Sequence, residues 1–481
     1  MTYRKRFGVG LVSGLLATCC HILLMSAVAY PQDKTLQLDA LMQNLAERGQ
    51  FSGSILVSEH GKVIYQRGFG AADRSKSIPF SANTPSYLAS LAKQFTAMGI
   101  MMLEEQHKLG YEDPLSKYFP GFPAYADKIT IRNLLNHTSG IADYVDLGLE
   151  HPGLTDQQVL EALKKEASTR FPAGEKFEYS NSGYVLLALI IEKVSGEAYG
   201  AFLKKNIFQP LGMRDTFVRD KSGPLPKNVA RGYSRFGDSD DYTLLTYGEG
   251  GIYSTVKDLY QWDKALYEDK LVKQSTLQEA FTPAKLHDGS MSNYGFGWGI
   301  AEIGGQQIVS HAGRFGGFNT YIKRFLQKQN AVIFLTNSGF KNMSAIGNAI
   351  INVLDNKPFQ LPKLSVAEAM YKKYLSNGIV SAKDFYVSLK KHDDQSYEFG
   401  ESELNELGYQ LLGTQKIKDA IEILKLNADA FPKSSNVYDG LGEAYLKNGD
   451  KELAITNYKK SLELDPSNSN AAAILKRLGE K

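Results

Sequence analysis

Apolar residues recur at helical spacing through Leu91, Phe95, Met98 and Met102, just after the turn and helix-start signal Asn83-Thr84-Pro85. The spacing predicts a buried amphipathic helix with Ser90 near its N-terminus. Upstream, Leu36 to Arg48 reads as helix. Gly53-Ser54-Ile55-Leu56-Val57 and Lys62-Val63-Ile64-Tyr65 read as strands joined at His60-Gly61. Three further strands are predicted at Gln307 to Ser310, Asn319 to Arg324 and Ala331 to Thr336, and helical patterns fill the middle. Strands from both ends around a helical insert predict an α+β chain: an α/β sandwich with an antiparallel sheet flanked by helices, plus a helical subdomain. The cleft between the two is the expected site.

Beyond Lys357 the strand patterns stop and helices rich in Lys, Glu, Leu and Ala take over. A 34-residue offset aligns Gly408 with Gly442, Ala420 with Ala454 and Pro432 with Pro466, a period and signature that resemble tetratricopeptide repeats. Val366 to Lys391 reads as a divergent first unit, and Asn470 to Gly479 as a capping helix. Either these units buttress the rest of the chain, or they offer a concave surface to a peptide or protein partner.

The formal charge of +3 overstates the basic character of the chain. Residues 1–29 carry Arg4, Lys5 and Arg6 and no acid, so the remainder is neutral. It has no global attraction for nucleic acid or anionic membrane. The same 29 residues read as an export signal: a basic start, an apolar run from Phe7 to Met25 and the small-residue site Ala27-Val28-Ala29. A retained membrane anchor is the alternative, because the apolar run is long for a signal. The expected setting is therefore periplasmic or extracellular, with membrane contact only if that segment stays. Cys19 and Cys20 both lie within it, so the rest of the chain has neither a disulfide nor a cysteine nucleophile. The eight histidines are scattered without ligand spacing, and no metal or other cofactor is expected.

Candidate chemistry lies in three short strings. Ser90-Leu91-Ala92-Lys93 is a Ser-x-x-Lys motif, which also occurs at Ser254/Lys257, Ser338/Lys341 and Ser388/Lys391. Only the first copy combines a helix start with a buried face. A serine alcohol needs a base, and lysine serves only when neutral. Burial lowers an amine pKa; a fall from ~10.4 to ~7.5 corresponds to about 4 kcal/mol. Tyr179-Ser180-Asn181 precedes the apolar run Val185 to Ile191. Tyr179 is either an aromatic lid on the core or a phenolate-like base or proton shuttle, and the Asn181 amide can hold a substrate amide. His311-Ala312-Gly313 follows a predicted strand. His311 alone reads as a surface or satisfied histidine. Gly313 lets a ligand backbone approach, and the N–H of Arg314 could join that of Ser90 as an oxyanion hole.

Together these strings resemble the β-lactamase-related serine hydrolases, of the class C β-lactamase, D-alanyl-D-alanine carboxypeptidase and penicillin-recognising esterase type. Leu134 to Ile141, Pro172-Ala173-Gly174, Gly250 to Thr255 and Tyr294 to Trp298 extend the resemblance as structural segments without assigned chemistry. It implies a β-lactamase/transpeptidase-like fold in which Ser90 is acylated, Lys93 and Tyr179 share the acid and base work, Asn181 orients the acyl group, and His311 and Gly313 bind substrate. His311 stands where class C β-lactamases carry a lysine. A mostly neutral imidazole there predicts slow or absent β-lactam turnover. The expected division is residues 1–29 signal, 36–355 hydrolase, 356–364 linker and 365–481 helical repeats. The expected function is an exported serine hydrolase acting through an acyl-enzyme on an ester, amide or peptide. The competing reading is a catalytically weak scaffold whose repeats recruit a protein.

Overall fold

A computed structural model describes residues 33–219, 225–241, 244–339 and 342–480. The expected export signal, both cysteines and Lys341 lie outside the described residues. Among the described residues no helix is long and apolar enough to cross a membrane.

The first helix, α1 (Lys34–Glu47), leads into β1 (Gly53–Glu59) and β2 (Lys62–Phe69). The sheet resumes far downstream with β3 (Gly299–Ile303), β4 (Gln306–Phe315), β5 (Phe318–Phe325) and β6 (Asn330–Thr336). These six strands pair in the order β2-β1-β6-β5-β4-β3, every neighbour antiparallel. Successive side chains on a strand face opposite ways, and here both faces are buried. Ile55, Val57, Val332 and Phe334 pack on α1 and on a helix over Met343–Leu354, while Leu56, Ile333 and Leu335 join the core of the helical insert. That double burial makes the α/β sandwich. The sequence pattern missed the edge strand β3. Its signal was Gly304-Gly305, whose φ angles of 59° and 73° suit the two-residue turn of a hairpin between β3 and β4.

Ser90 does not lie inside an α-helix. Ala89–Ala92 forms a 3-10 turn, and the long helix α2 (Lys93–Glu105) starts only at Lys93. Ala89 has φ +48°, a left-handed geometry uncommon for a residue with a Cβ. Residues three apart eclipse in a 3-10 turn, so Ser90 and Lys93 come one above the other. Next to them lies α3 (Asn181–Ser195), buried from Ser182 to Ala188 and at Ile190 and Ile191.

The C-terminal region has its own core, including Leu404, Leu407, Ala420, Leu424, Ala454 and Tyr458. Its helices are α4 (Val366–Lys391), α5 (Glu401–Gly413), α6 (Ile417–Ala430), α7 (Ser435–Asn448), α8 (Lys451–Leu464) and α9 (Ser469–Arg477). The pair α5/α6 starts at 401 and 417 and the pair α7/α8 at 435 and 451, so the pairs repeat at 34 residues. The small residues have a packing reason. A Cβ on Gly408 would lie 2.6 Å from the Leu424 side chain, and one on Gly442 would lie 3.1 Å from Tyr458. The α4 run is broken at Gly378, whose φ of 78° is not helical.

One arginine joins this region to the rest. The Arg235 guanidinium donates to Glu368 Oε1 at 3.2 Å, to Ser365 Oγ at 2.6 Å, to Glu403 Oε1 at 3.0 Å and to the Glu406 carboxylate. Only 8% of its side chain is exposed. Phe236 packs on Tyr371 with ring centroids 5.1 Å apart. The loop carrying both is held by the sheet, since the Tyr233 N–H donates to Asn337 O at 3.1 Å. Removing one partner from a buried charge cluster typically costs ~3–5 kcal/mol, because the remaining charges stay desolvated. Arg235→Ala is therefore expected to lower the urea midpoint of the helical region and to speed proteolysis between residues 356 and 364. Circular dichroism with timed digestion measures both.

Candidate active site

The 3-10 turn, α2, α3 and β4 converge on a cleft of about 430 Å³, whose walls include Ser90, Tyr144, Tyr179, Asn181, His311 and Arg314. Lys93 is fully buried at its floor. Its Nζ lies 2.8 Å from Asn181 Oδ1, 3.2 Å from the Glu249 backbone oxygen and 3.3 Å from Ser90 Oγ. Desolvation is the largest influence on this amine and lowers its pKa to about 7, against the opposing pull of the Glu249 and Asp143 carboxylates.

Asn181 is oriented from behind. Its backbone N–H, in the first turn of α3, donates to Asp143 Oδ2 at 2.6 Å, and its side-chain Nδ2 donates to the same oxygen at 3.2 Å. With the amide nitrogen engaged there, the amide oxygen must face Lys93. The carboxylate is also well placed for the positive end of the helix dipole. Asp143 is buried, and no sequence signal marks it, because an aspartate 38 residues upstream carries no motif.

Tyr179 stands over the amine, with Lys93 Nζ 4.8 Å from its ring centroid. The residue is 36% exposed, and its ring forms part of the cleft wall. The hydroxyl itself is desolvated. Burial pushes the phenol pKa well up, and a hydrogen bond with Ser90 offsets only part of that rise. Of the sequence alternatives for Tyr179, the phenolate-like base is therefore disfavoured, and Tyr179 is a neutral phenol. Behind it lies His137, whose ring centroid is 4.2 Å from that of Tyr179 and whose Nδ1 accepts from the Ser180 N–H at 3.2 Å. His137 belongs to a segment that read only as a structural turn.

His311 is neither surface nor cation. It is buried, and burial pushes its pKa down to about 3. Its Nδ1 lies 2.7 Å from Ala312 O. A carbonyl only accepts, so Nδ1 carries the hydrogen and Nε2 accepts from the Tyr294 hydroxyl at 2.8 Å. Gly313 meets a steric demand. A Cβ there would lie 2.3 Å from Leu88 O, 2.3 Å from Thr320 Oγ1 and 3.0 Å from Ser90 N. Strand β4 thus runs directly against the Ser90 backbone, with Arg314 the next residue along. Among the described residues no group of three His, Cys, Asp or Glu could hold a metal ion.

The beta-lactamase family profile matches residues 38–355, about two thirds of the chain. The chain belongs to the beta-lactamase family. It is a hydrolase of the serine type. A tetratricopeptide repeat profile matches residues 440–468. Penicillin-binding protein 4* of Bacillus subtilis (strain 168) is 35% identical over 377 residues, covering 72% of this chain and 83% of its own length. Two solved structures are similar. The octameric penicillin-binding protein homologue from Pyrococcus abyssi has a TM-score of 0.60 at 29% identity, over 70% of this chain and 81% of that one. The D-amino acid amidase from Ochrobactrum anthropi SV3, complexed with L-phenylalanine amide, has a TM-score of 0.57 at 25% identity, over 66% and 99%.

Burial of neutral imidazoles predicts acid sensitivity for this hydrolase. The His311 pKa is depressed in the fold, so its contribution to stability is whole above the unfolded value of ~6.5 and is withdrawn as pH falls towards about 3. His137, pushed down by burial and by Lys93, adds in the same direction. The loss from His311 alone is about 2 kcal/mol by pH 5. Urea midpoints between pH 7 and 5 should fall more steeply for the parent than for His311→Gln, which has no ring to titrate.

Proposed function

We propose that this chain is an exported serine hydrolase that cleaves an ester, amide or peptide through an acyl-enzyme on Ser90. The arrangement around Lys93 Nζ carries the reading. A neutral amine has two hydrogens and one lone pair. Asn181 Oδ1 and Glu249 O are both acceptors, so they take the two hydrogens. The lone pair is then left for the remaining neighbour, the Ser90 hydroxyl.

Acylation follows from that assignment. Ser90 Oγ attacks the substrate carbonyl carbon while its proton passes to Lys93 Nζ. The carbonyl oxygen gains negative charge and is received by the N–H groups of Ser90 and Arg314. The close passage of β4 at Gly313 supports that pairing. Tyr179, a neutral phenol beside Ser90, donates its proton to the leaving group and is reprotonated from Lys93. Asn181 holds the acyl chain, and His311 and Gly313 line the opposite wall. Water then attacks the ester, gives its proton to the same base and releases the acid with Ser90 restored.

The similar amidase and penicillin-binding proteins support amide or peptide bonds as substrates. A neutral His311 supplies no cation for a β-lactam carboxylate, so slow nitrocefin turnover is part of this reading. Export rests on residues 1–29, and the separate core of the helical region supports a division at residues 36–355, 356–364 and 365–481. The repeats are assigned to a protein or peptide partner, on the matching repeat profile.

A fluorophosphonate should label Ser90, and Ser90→Ala should abolish the label. Equal labelling of Ser90→Ala with the fold intact overturns the assignment. Lys93→Met should lower turnover of a labelled ester by roughly a thousandfold or more with a smaller change in KM.

A further inference from the structure

Glu249 supplies the cleft with more than its backbone oxygen. Its side chain is 94% buried, with 6% exposure, and it contributes to the cleft wall beside Ser90. Oε1 accepts from the Thr246 hydroxyl and from the Tyr144 hydroxyl at 3.3 Å, while Oε2 is buried with no partner among the described residues. A carboxyl with one oxygen unsatisfied in a dry site is costly to keep. The loop presents it by pressing on α3: a Cβ on Gly248 would lie 2.1 Å from Tyr184 O.

We propose that Glu249 is a positioning residue whose carboxyl charge controls the proton on Lys93, and hence the pH at which Ser90 becomes nucleophilic. The inference rests on the Ser90–Lys93 reading above. An ionised carboxyl in a poorly screened site favours the ammonium and withholds the base; a neutral carboxyl releases it. Burial raises the Glu249 pKa and lowers that of Lys93, so the two move towards each other and titrate as a coupled pair. Thr246 and Tyr144 favour the carboxylate, which ties its charge to two neutral hydroxyls.

Other ionisable groups also face this pair. Asp156, on the helix over Asp156–Leu163, is raised by burial and by the Glu249 charge. Tyr179, in the loop just before α3, and Tyr199 of the helix over Tyr199–Leu203 feel the Glu249 charge. Asp143 supports the ammonium, while the rings of His137 and His311 feel that ammonium and stay neutral. Among these groups, Asp143 and Glu249 are the carboxyls that favour the Lys93 ammonium, and Asp143 is already committed to the N-terminus of α3.

The test is the rate of Ser90 labelling by a fluorophosphonate on the full chain as a function of pH. Glu249→Gln keeps the shape and removes the charge. Its rising limb should move to lower pH by roughly one unit, making labelling at pH 6 about tenfold faster. Glu249→Asp keeps the charge and should keep the limb near that of the parent. Thr246→Val removes one donor to Oε1, favours the neutral acid, and should move the limb the same way by less. It decides the matter if Glu249→Gln does not fold. An unmoved limb in the folded charge-removing variant overturns the proposal, and so does equal movement in Gln and Asp, which would mark a merely structural role. Labelling that survives Ser90→Ala would instead overturn the acylation reading itself.

Discussion

The site depends on keeping one amine out of water. Lys93 has no exposure to solvent, and its nitrogen is tied to two carbonyl oxygens from different parts of the chain. Each of those oxygens has its own support. Asn181 is fixed by Asp143 at the start of α3, and Glu249 by a loop that only glycine lets press against Tyr184. The sandwich and the helical insert are needed together, because α2 and α3 come from the insert while Gly313 comes from the sheet. Desolvation, rather than any single ionic partner, is what makes this lysine unusual.

Much of this architecture was legible in the sequence, for identifiable reasons. Strands β1 and β6 announced themselves because both faces are buried, so each reads as a compact apolar run. Ser90, Lys93, Tyr179 and Asn181 stood out because short spacing within a motif survives folding as proximity. The 3-10 turn was not legible. It depends on a left-handed Ala89, and nothing in an alanine signals that. Asp143 and Glu249 were not legible either, because their partners are 38 and 156 residues away and the residue types are generic. Arg235 escaped for the same reason: its partners are 130 or more residues along the chain.

His311 shows how context chooses between two readings made from residue type. A histidine at the end of a strand pattern suggests either a surface group or a satisfied one. In the fold it is enclosed by Tyr179 and Tyr294 and bonded through both ring nitrogens. Burial disfavours its cationic form, so this wall of the cleft is an uncharged hydrogen-bonding surface. A lysine of similar reach would bring a second ammonium towards Lys93 and push that amine further towards its neutral form. With a neutral ring here, burial is the influence that lowers the Lys93 pKa.

Some of the unsatisfied buried groups lie where the chemistry is, and others are spread through the sheet and the repeat helices. Glu249 Oε2, His137 Nε2 and Ser180 Oγ are all buried without partners among the described residues, and all lie around Lys93 and Tyr179. Each such group costs roughly 1–3 kcal/mol against a satisfied alternative. A chain selected for stability alone would fill this region with apolar side chains of similar volume. The sheet core and the repeat helices are packed largely with Leu, Ile, Val and Ala, while the cleft gathers ionisable and hydroxyl groups. Burial there brings a desolvated amine, a neutral phenol and a neutral imidazole side by side.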